Sequence, residues 1–206
     1  MTKEQLIEMI NHRVVRNQVG MDTTDFVSEQ MIEAHLELAY DSVFNQIITK
    51  RLHNGLMDLN SYGKTYKGVE IKYDKERFEY YSDLPVKAAE LVDNEAIRLI
   101  SSNKDIRDAF FPRKLGAQSF IMGSLDVNNE GSSKYYLERD KVWYVDIDPD
   151  LEKVQMIIIP SVSEVGYDEE LSLPAEGESI IVDMVVQMLV QKYNLPPDSV
   201  NDQNVL

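Results

Sequence analysis

His12, His35 and His53 are the whole imidazole supply of this chain, and it has no cysteine. Disulfide frameworks, cysteine zinc sites, iron–sulfur clusters and thiol nucleophiles are therefore excluded. His35 stands two residues from both Glu33 and Glu37, a spacing that puts it on a different helix face from either. The HExxH and ExxH geometries of helical metal sites are absent, and all three histidines read as structural or surface residues. The densest acidic cluster is Asp146, Asp148, Asp150 and Glu152. A calcium loop would need Gly at its sixth position and a bidentate Glu at its twelfth, where this chain has Leu151 and Ile157. The Asp126-to-Gly131 segment fails likewise, with Leu137 at its twelfth position, so both read as turns. There is no GxGxxG, GxxxxGK[ST] or GxSxG among the nine glycines, and Gly116 and Gly123 flank a strand instead. Paired carboxylates can serve glycoside hydrolysis, but no spacing places two of the 36 acidic residues in one cleft. Trp143 with Tyr80, Tyr81, Tyr135, Tyr136 and Tyr144 would make either an aromatic binding surface or sheet packing, and strand positions favour packing. The sequence thus predicts no catalytic, cofactor-binding or metal-ligating residue.

The elements that would carry these residues fall in three blocks, expected to act as one structural unit: an N-terminal helical part (1–65), a β insertion (66–161), and a C-terminal helix with an extended tail (162–206). Thr2 to Gln5 has capping-box spacing, and Leu6, Ile10 and Val14 follow at intervals of four, which predicts a helix over about 3–16 with Gly20 ending it. Oxygens of Asp22-Thr23-Thr24-Asp25 would cap a second helix of about 29 residues, ending at Asn54-Gly55. Its polar stripe of Glu29, Glu33, Glu37, Asp41 and Asn45 leaves Phe26, Val27, Met31, Leu38, Val43, Phe44, Ile47, Ile48 and Leu52 for the apolar face.

From Tyr66 the period becomes two. Val69, Ile71 and Tyr73, then Phe78 and Tyr80 across Asp74-Lys75-Glu76, predict a β-hairpin broken by Leu84-Pro85. Residues 96–100, 118–125, 135–138, 142–147 and 154–159 are further strands, with turns at Asn128-Asn129-Glu130-Gly131 and Asp148-Pro149-Asp150. After Leu173-Pro174, the stripe Asp183, Gln187 and Gln191 predicts a helix over 180–193, stopped by Leu195-Pro196-Pro197. The fold class is therefore α+β: a helical module with an antiparallel β-sandwich or barrel-like insertion.

Charge narrows the partners. The chain has 206 residues, with 21 basic against 36 acidic, for a net −15, which opposes sequence-independent attraction to nucleic acid or anionic lipid. Its longest apolar stretch, Ser179 to Val190, contains Asp183 and falls short of the ~20 residues a membrane helix needs. The N-terminus, MTKEQLIEMINHR, does not read as a secretory signal, so the chain is expected to be soluble and made in a cytoplasm. The charge is also segregated. From Ser163 to Leu206 nine residues are acidic and only Lys192 is basic, whereas 13 of the 21 basic residues lie between Lys50 and Lys114. Such a subunit can meet a copy of itself head to tail, acidic side to basic side.

Tyr81-Ser82-Asp83-Leu84-Pro85 closing the hairpin, Ala96-Ile97-Arg98-Leu99-Ile100 after it, Phe110-Phe111-Pro112, Leu173-Pro174 ahead of the last helix, and Pro197-Asp198 with Asn201-Asp202 recur in one order. Over most of residues 24 to 204 this order resembles the ring, or head-to-tail adaptor (connector), proteins of crAss-like tailed bacteriophages, which are podoviruses. The resemblance implies a structural virion protein and no enzyme: a homo-oligomeric ring of twelve copies in the portal–tail assembly, joining capsid to tail around the DNA channel through which the genome is ejected. The implied partners are copies of itself, the portal protein and the adjoining tail ring or tail proteins. DNA would pass through the lumen without specific binding, no membrane would be involved, and no cofactor or site residue is transferred. It would be made and assembled in the host cytoplasm and reside in the virion neck. A small acidic cytoplasmic binding module that uses the aromatic strands is the alternative, followed by a carboxylate-dependent hydrolase on the β insertion.

Overall fold

A computed structural model of the chain describes residues 1–17, 27–54, 59–92, 95–102, 108–112, 133–173 and 177–193. The fold is mixed α+β and divides into two compact units. One unit, Met1–Lys50 with Val165–Leu206, is built from the two ends of the chain, and the other is Arg51–Glu164. The division on the N-terminal side falls inside a helix, after Lys50, and the return is at Val165.

In the first unit, α1 (Lys3–Asn17) starts on the capping box that its sequence predicts. The Gln5 amide donates to Thr2 Oγ1 (3.3 Å), and the Thr2 amide donates back to Gln5 Oε1 (3.2 Å). Two more first-turn donors, the amides of Lys3 and Glu4, reach the carbonyls of Glu169 and Tyr167, so the 167–170 segment closes this helix end. Helix α2 (Glu29–Asn54) begins later than the expected cap. Val27 and Ser28 are not helical, and Ser28 Oγ accepts from the Met31 amide at 3.3 Å. The Asp22–Asp25 cap, Gly20 and Gly55 lie outside the described residues.

The apolar face of α2 is also rotated from expectation. Ile32, Leu36, Ala39, Tyr40, Val43, Phe44 and Ile48 are buried, while Leu38 is 61% exposed. The expected face left out Ile32, Leu36, Ala39 and Tyr40, whose i, i+3, i+4 spacing with Val43 and Phe44 defines the true stripe. Helix α3 (Gly177–Tyr193) buries Ile181, Val182, Val185, Val186 and Leu189, presents Asp183, Gln187 and Gln191 to solvent as predicted, and packs against α1.

The second unit holds eight strands: β1 (Lys64–Glu70), β2 (Lys72–Asp74), β3 (Glu79–Asp83), β4 (Ile97–Ser102), β5 (Phe111–Pro112), β6 (Lys134–Glu138), β7 (Lys141–Val145) and β8 (Lys153–Ile158). They form a three-stranded sheet, β1-β8-β4, and a five-stranded sheet, β2-β3-β7-β6-β5, in a sandwich-like arrangement. The core holds Ile97, Ile100, Phe110, Tyr135, Val142, Tyr144, Val154, Met156 and Ile158. Ser82 is wholly buried and satisfied twice: its Oγ donates to the Glu70 carbonyl on β1 (2.8 Å) and accepts from the Tyr144 hydroxyl (2.9 Å), linking the two sheets.

Three strand expectations are corrected. The run from Tyr66 to Tyr73 is two strands, because β1 pairs with β8 and β2 pairs with β3. The chain changes sheets at Ile71, whose amide donates to the Glu152 carbonyl, and the alternation of side chains continues through the switch, so periodicity cannot register it. Phe78 belongs to the turn, at φ +57°. The sheets are not wholly antiparallel either: β5 pairs parallel to β6, which the long connection through residues 113–133 allows. The expected strand over 118–125, the 128–131 turn, Pro174 and the tail 195–206 lie outside the described residues.

Two positions with left-handed φ have clear local causes. Gly68 (φ +72°) sits where the β1–β8 register shifts between Tyr66 and Val69, and the space about it is open, so backbone conformation rather than crowding is what selects glycine. Arg139 (φ +57°) is the first of two loop residues between Glu138 and Lys141, the place where a two-residue hairpin prefers glycine. Arg139→Gly is expected to stabilise the chain by about 0.5–1 kcal/mol, read as a shift in urea midpoint at constant slope. A loss of stability would show that the arginine side chain contributes more than its backbone costs.

Candidate functional site

Strand alternation sorts the aromatic residues onto two faces of the five-stranded sheet. Tyr73, Tyr80, Tyr144 and Tyr135 are successive cross-strand partners, with Tyr135 and Tyr144 buried in the core. Burial pushes the Tyr144 hydroxyl well above its ordinary range and that of Tyr135 up to about 12. Tyr80, Tyr135 and Tyr144 thus pack the sandwich, as strand propensity predicts, while Tyr73 on the edge strand is exposed.

The other half does not. Lys72, Tyr81, Trp143 and Tyr136 are in register across β2, β3, β7 and β6, on the face opposite the core. Ring centroids lie 5.1 Å apart for Tyr81 and Trp143, and 6.4 Å apart for Trp143 and Tyr136, the latter pair nearly parallel. Trp143 is nonetheless only 3% exposed. Its cover is cationic: the Arg77 guanidinium lies 4.5 Å from the indole centroid, and Lys141 Nζ lies 5.9 Å from it and 4.2 Å from the Tyr81 ring.

Turn and register chemistry hold these cations in place. Asp74 Oδ1 accepts from the Glu76 (2.8 Å) and Arg77 (3.2 Å) amides, so the β2–β3 turn is pinned and Arg77 is aimed back over the sheet, where its guanidinium also binds Glu138. Those two amide bonds hold the Asp74 carboxyl below its usual range, and the Arg77 hydrogen bond does the same for Glu138. Tyr136 donates to Glu79 Oε2 at 2.6 Å, and burial together with this bond raises its hydroxyl to about 12. Lys72 pairs with Asp83 at 2.6 Å. Phe78, at the end of the same turn, is 78% exposed.

In chemical terms this face carries half-buried tyrosine rings, a buried indole and paired charges, and among the described residues no group of three or more His, Asp or Glu could hold a metal ion. The histidines are dispersed: His12 is exposed, the His35 Nδ1–H donates to the Met31 carbonyl (2.7 Å), and the His53 side chain lies outside the described residues. Asp146, Asp148, Asp150 and Glu152 form no cluster. Asp148 makes the expected turn, its carbonyl accepting from the Leu151 amide and its Oδ1 from the Asp150 amide (both 3.0 Å), while Asp146 directly follows β7 at φ +57°. Sequence reasoning did not anticipate Arg77 and Lys141. Lys141 was within reach, two residues before Trp143 and so on the same strand face, whereas Arg77 arrives through a turn that periodicity does not describe. Among the described residues no helix is long and apolar enough to cross a membrane. No protein-family model matches the chain, and no curated protein matches it.

Proposed function

We propose that the protein is a structural subunit that associates head to tail with its own copies, as a ring in the portal–tail assembly of a tailed bacteriophage. In that assembly it joins capsid to tail around the DNA channel and carries out no catalysis. The observation that supports this reading is the partition of charge between the two units. The helical unit has five basic and 16 acidic residues, while the β unit has 16 basic and 20 acidic. Both parts are net negative, one strongly and one nearly balanced, so a heterologous contact that matches the acidic part to the lysine- and arginine-rich part is much less repulsive than an isologous one that matches acidic part to acidic part.

The test is the native mass of the purified chain, alone and with a portal protein. A closed oligomer, about twelve copies by the resemblance, supports the reading. A monomer under both conditions overturns it. The aromatic face of the β unit would then favour the second reading, a monomeric binding module.

A further inference from the structure

Phe78 closes the β2–β3 turn in a state that folding alone does not explain. It is the most exposed large apolar side chain among the described residues, and it holds a left-handed φ of +57°, which a bulky residue rarely adopts. Glycine would meet the backbone there at lower cost, and its ring gains almost no burial in return. The turn is also rigid: Asp74 Oδ1 fixes the Glu76 and Arg77 amides, and the Arg77 guanidinium is bound to Glu138 on β6. Strain at a firmly held, exposed position points to function, and an aromatic ring projecting from a rigid turn suits an apolar seat on another molecule.

The helical unit exposes four large apolar residues among those described: Met9, Leu38, Tyr167 and Ile180. Tyr167 is already engaged by Lys3 and Glu33. Leu38 stands alone on α2, with Ala34, His35, Asp41 and Ser42 as its neighbours three and four residues away. Met9 and Ile180 differ, because they come from two helices that pack together. Met9 lies one turn before Arg13 on α1, Ile180 lies one turn before Asp183 on α3, and Arg13 and Asp183 are ion-paired, so both apolar side chains line one stretch of the α1–α3 seam. Met184, half-buried and one turn after Ile180, extends it. Unbranched methionine side chains mould to a ring and contact it through sulfur.

We infer that Phe78 of one copy docks in the Met9–Ile180 seam of a second copy. The inference rests on the head-to-tail reading above and adds to it the two surfaces that meet. It joins the lysine- and arginine-rich part of one subunit to the acidic part of the next, the less repulsive of the pairings. An apolar knob that fits a seat elsewhere on an identical molecule leaves a free knob and a free seat at the two ends of each pair, so the contact repeats from copy to copy as a heterologous interface does.

The experiment follows the full chain by sedimentation over a concentration series for wild type, Phe78→Gly, Phe78→Asn and Ile180→Lys, with melting temperature read by circular dichroism. Phe78→Gly is expected to leave the melting temperature unchanged or raise it, since strain is relieved and little burial is lost, while weakening assembly at least about tenfold. Phe78→Asn, which also tolerates left-handed φ, should act likewise. Ile180→Lys should weaken assembly to the same degree with little change in melting, because Ile180 is exposed in the free subunit. The deciding arm mixes Phe78→Gly with Ile180→Lys: each keeps the surface the other lacks, so the mixture should form a heterodimer through one intact contact, at concentrations where neither variant associates alone. If wild type assembles and Phe78→Gly assembles equally well, or melts lower as the free subunit, the inference falls while the head-to-tail reading stands. If Ile180→Lys assembles like wild type, or the mixture stays monomeric although each variant is impaired, Phe78 is seated elsewhere and the assignment to the seam is overturned. A wild type that is monomeric throughout overturns both.

Discussion

Phe44→Ala is expected to cost about 3–5 kcal/mol, a drop on the order of 10 °C in the melting of the helical unit, followed by circular dichroism at 222 nm. Phe44 has no exposed surface, and its ring lies 4.8 Å from that of Tyr40, itself buried, with its hydroxyl donating to the Ser172 carbonyl at 3.4 Å. Alanine removes the ring and leaves a cavity whose walls include Tyr40, held in place by helix α2, so the site can collapse only in part. Leu38→Ala on the same helix is the control. Leu38 is exposed, so its truncation should stay within about 0.5 kcal/mol of wild type. Equal effects for the two variants would mean that the buried stripe of α2 is not the one described.

Glu33→Leu should destabilise the same unit by about 3 kcal/mol, and Lys3→Met by only about 1 kcal/mol, although the two variants break one ion pair. The pair spans 2.8 Å, and the side chains are 29% and 5% exposed for Glu33 and Lys3. Removing Glu33 leaves a nearly buried ammonium with the Val165 carbonyl (3.3 Å) and the Tyr167 ring (4.8 Å to its centroid) as remaining partners, and neither carries a full negative charge. Removing Lys3 leaves a carboxylate that water reaches and that the Tyr167 hydroxyl still binds.

The same pair sets a pH dependence. The Lys3 hydrogen bond holds the Glu33 carboxyl below its ordinary 4.5 against the opposing effect of burial, with the Tyr167 hydroxyl also lowering it. Since the folded value lies below the unfolded one, this contribution is fully present above pH 4.5 and is lost as pH falls through the lowered folded value. Wild type should therefore lose stability on acidification below that point more steeply than Glu33→Gln. Parallel pH profiles for the two proteins would contradict the assignment.

Local chemistry was legible in the sequence wherever the determinants lie within a turn or two of chain. The Thr2–Gln5 capping box, the polar stripe of α3, the Asp148 turn and strands β4, β6, β7 and β8 each follow from short-range spacing, because a helix or strand imposes its period on neighbouring residues whatever they pack against. The mixed α+β class follows from the order of those elements.

Only the tertiary structure decided which sheet each strand joins. The end of β1 and all of β2 share one alternation in sequence, Val69, Ile71 and Tyr73, yet the two strands pair with β8 and β3, since the backbone can change partners while its side chains keep alternating. The candidate face depended on the same step. Alternation separates Tyr81 and Trp143 from Tyr80 and Tyr144, but which of the two sets meets the core depends on what covers each face of the sheet. Lys3 with Glu33, and Arg77 with Glu138, are likewise invisible in one dimension, because an ion pair depends on a distance of a few ångströms between residues tens of positions apart, and spacing along the chain carries no record of it.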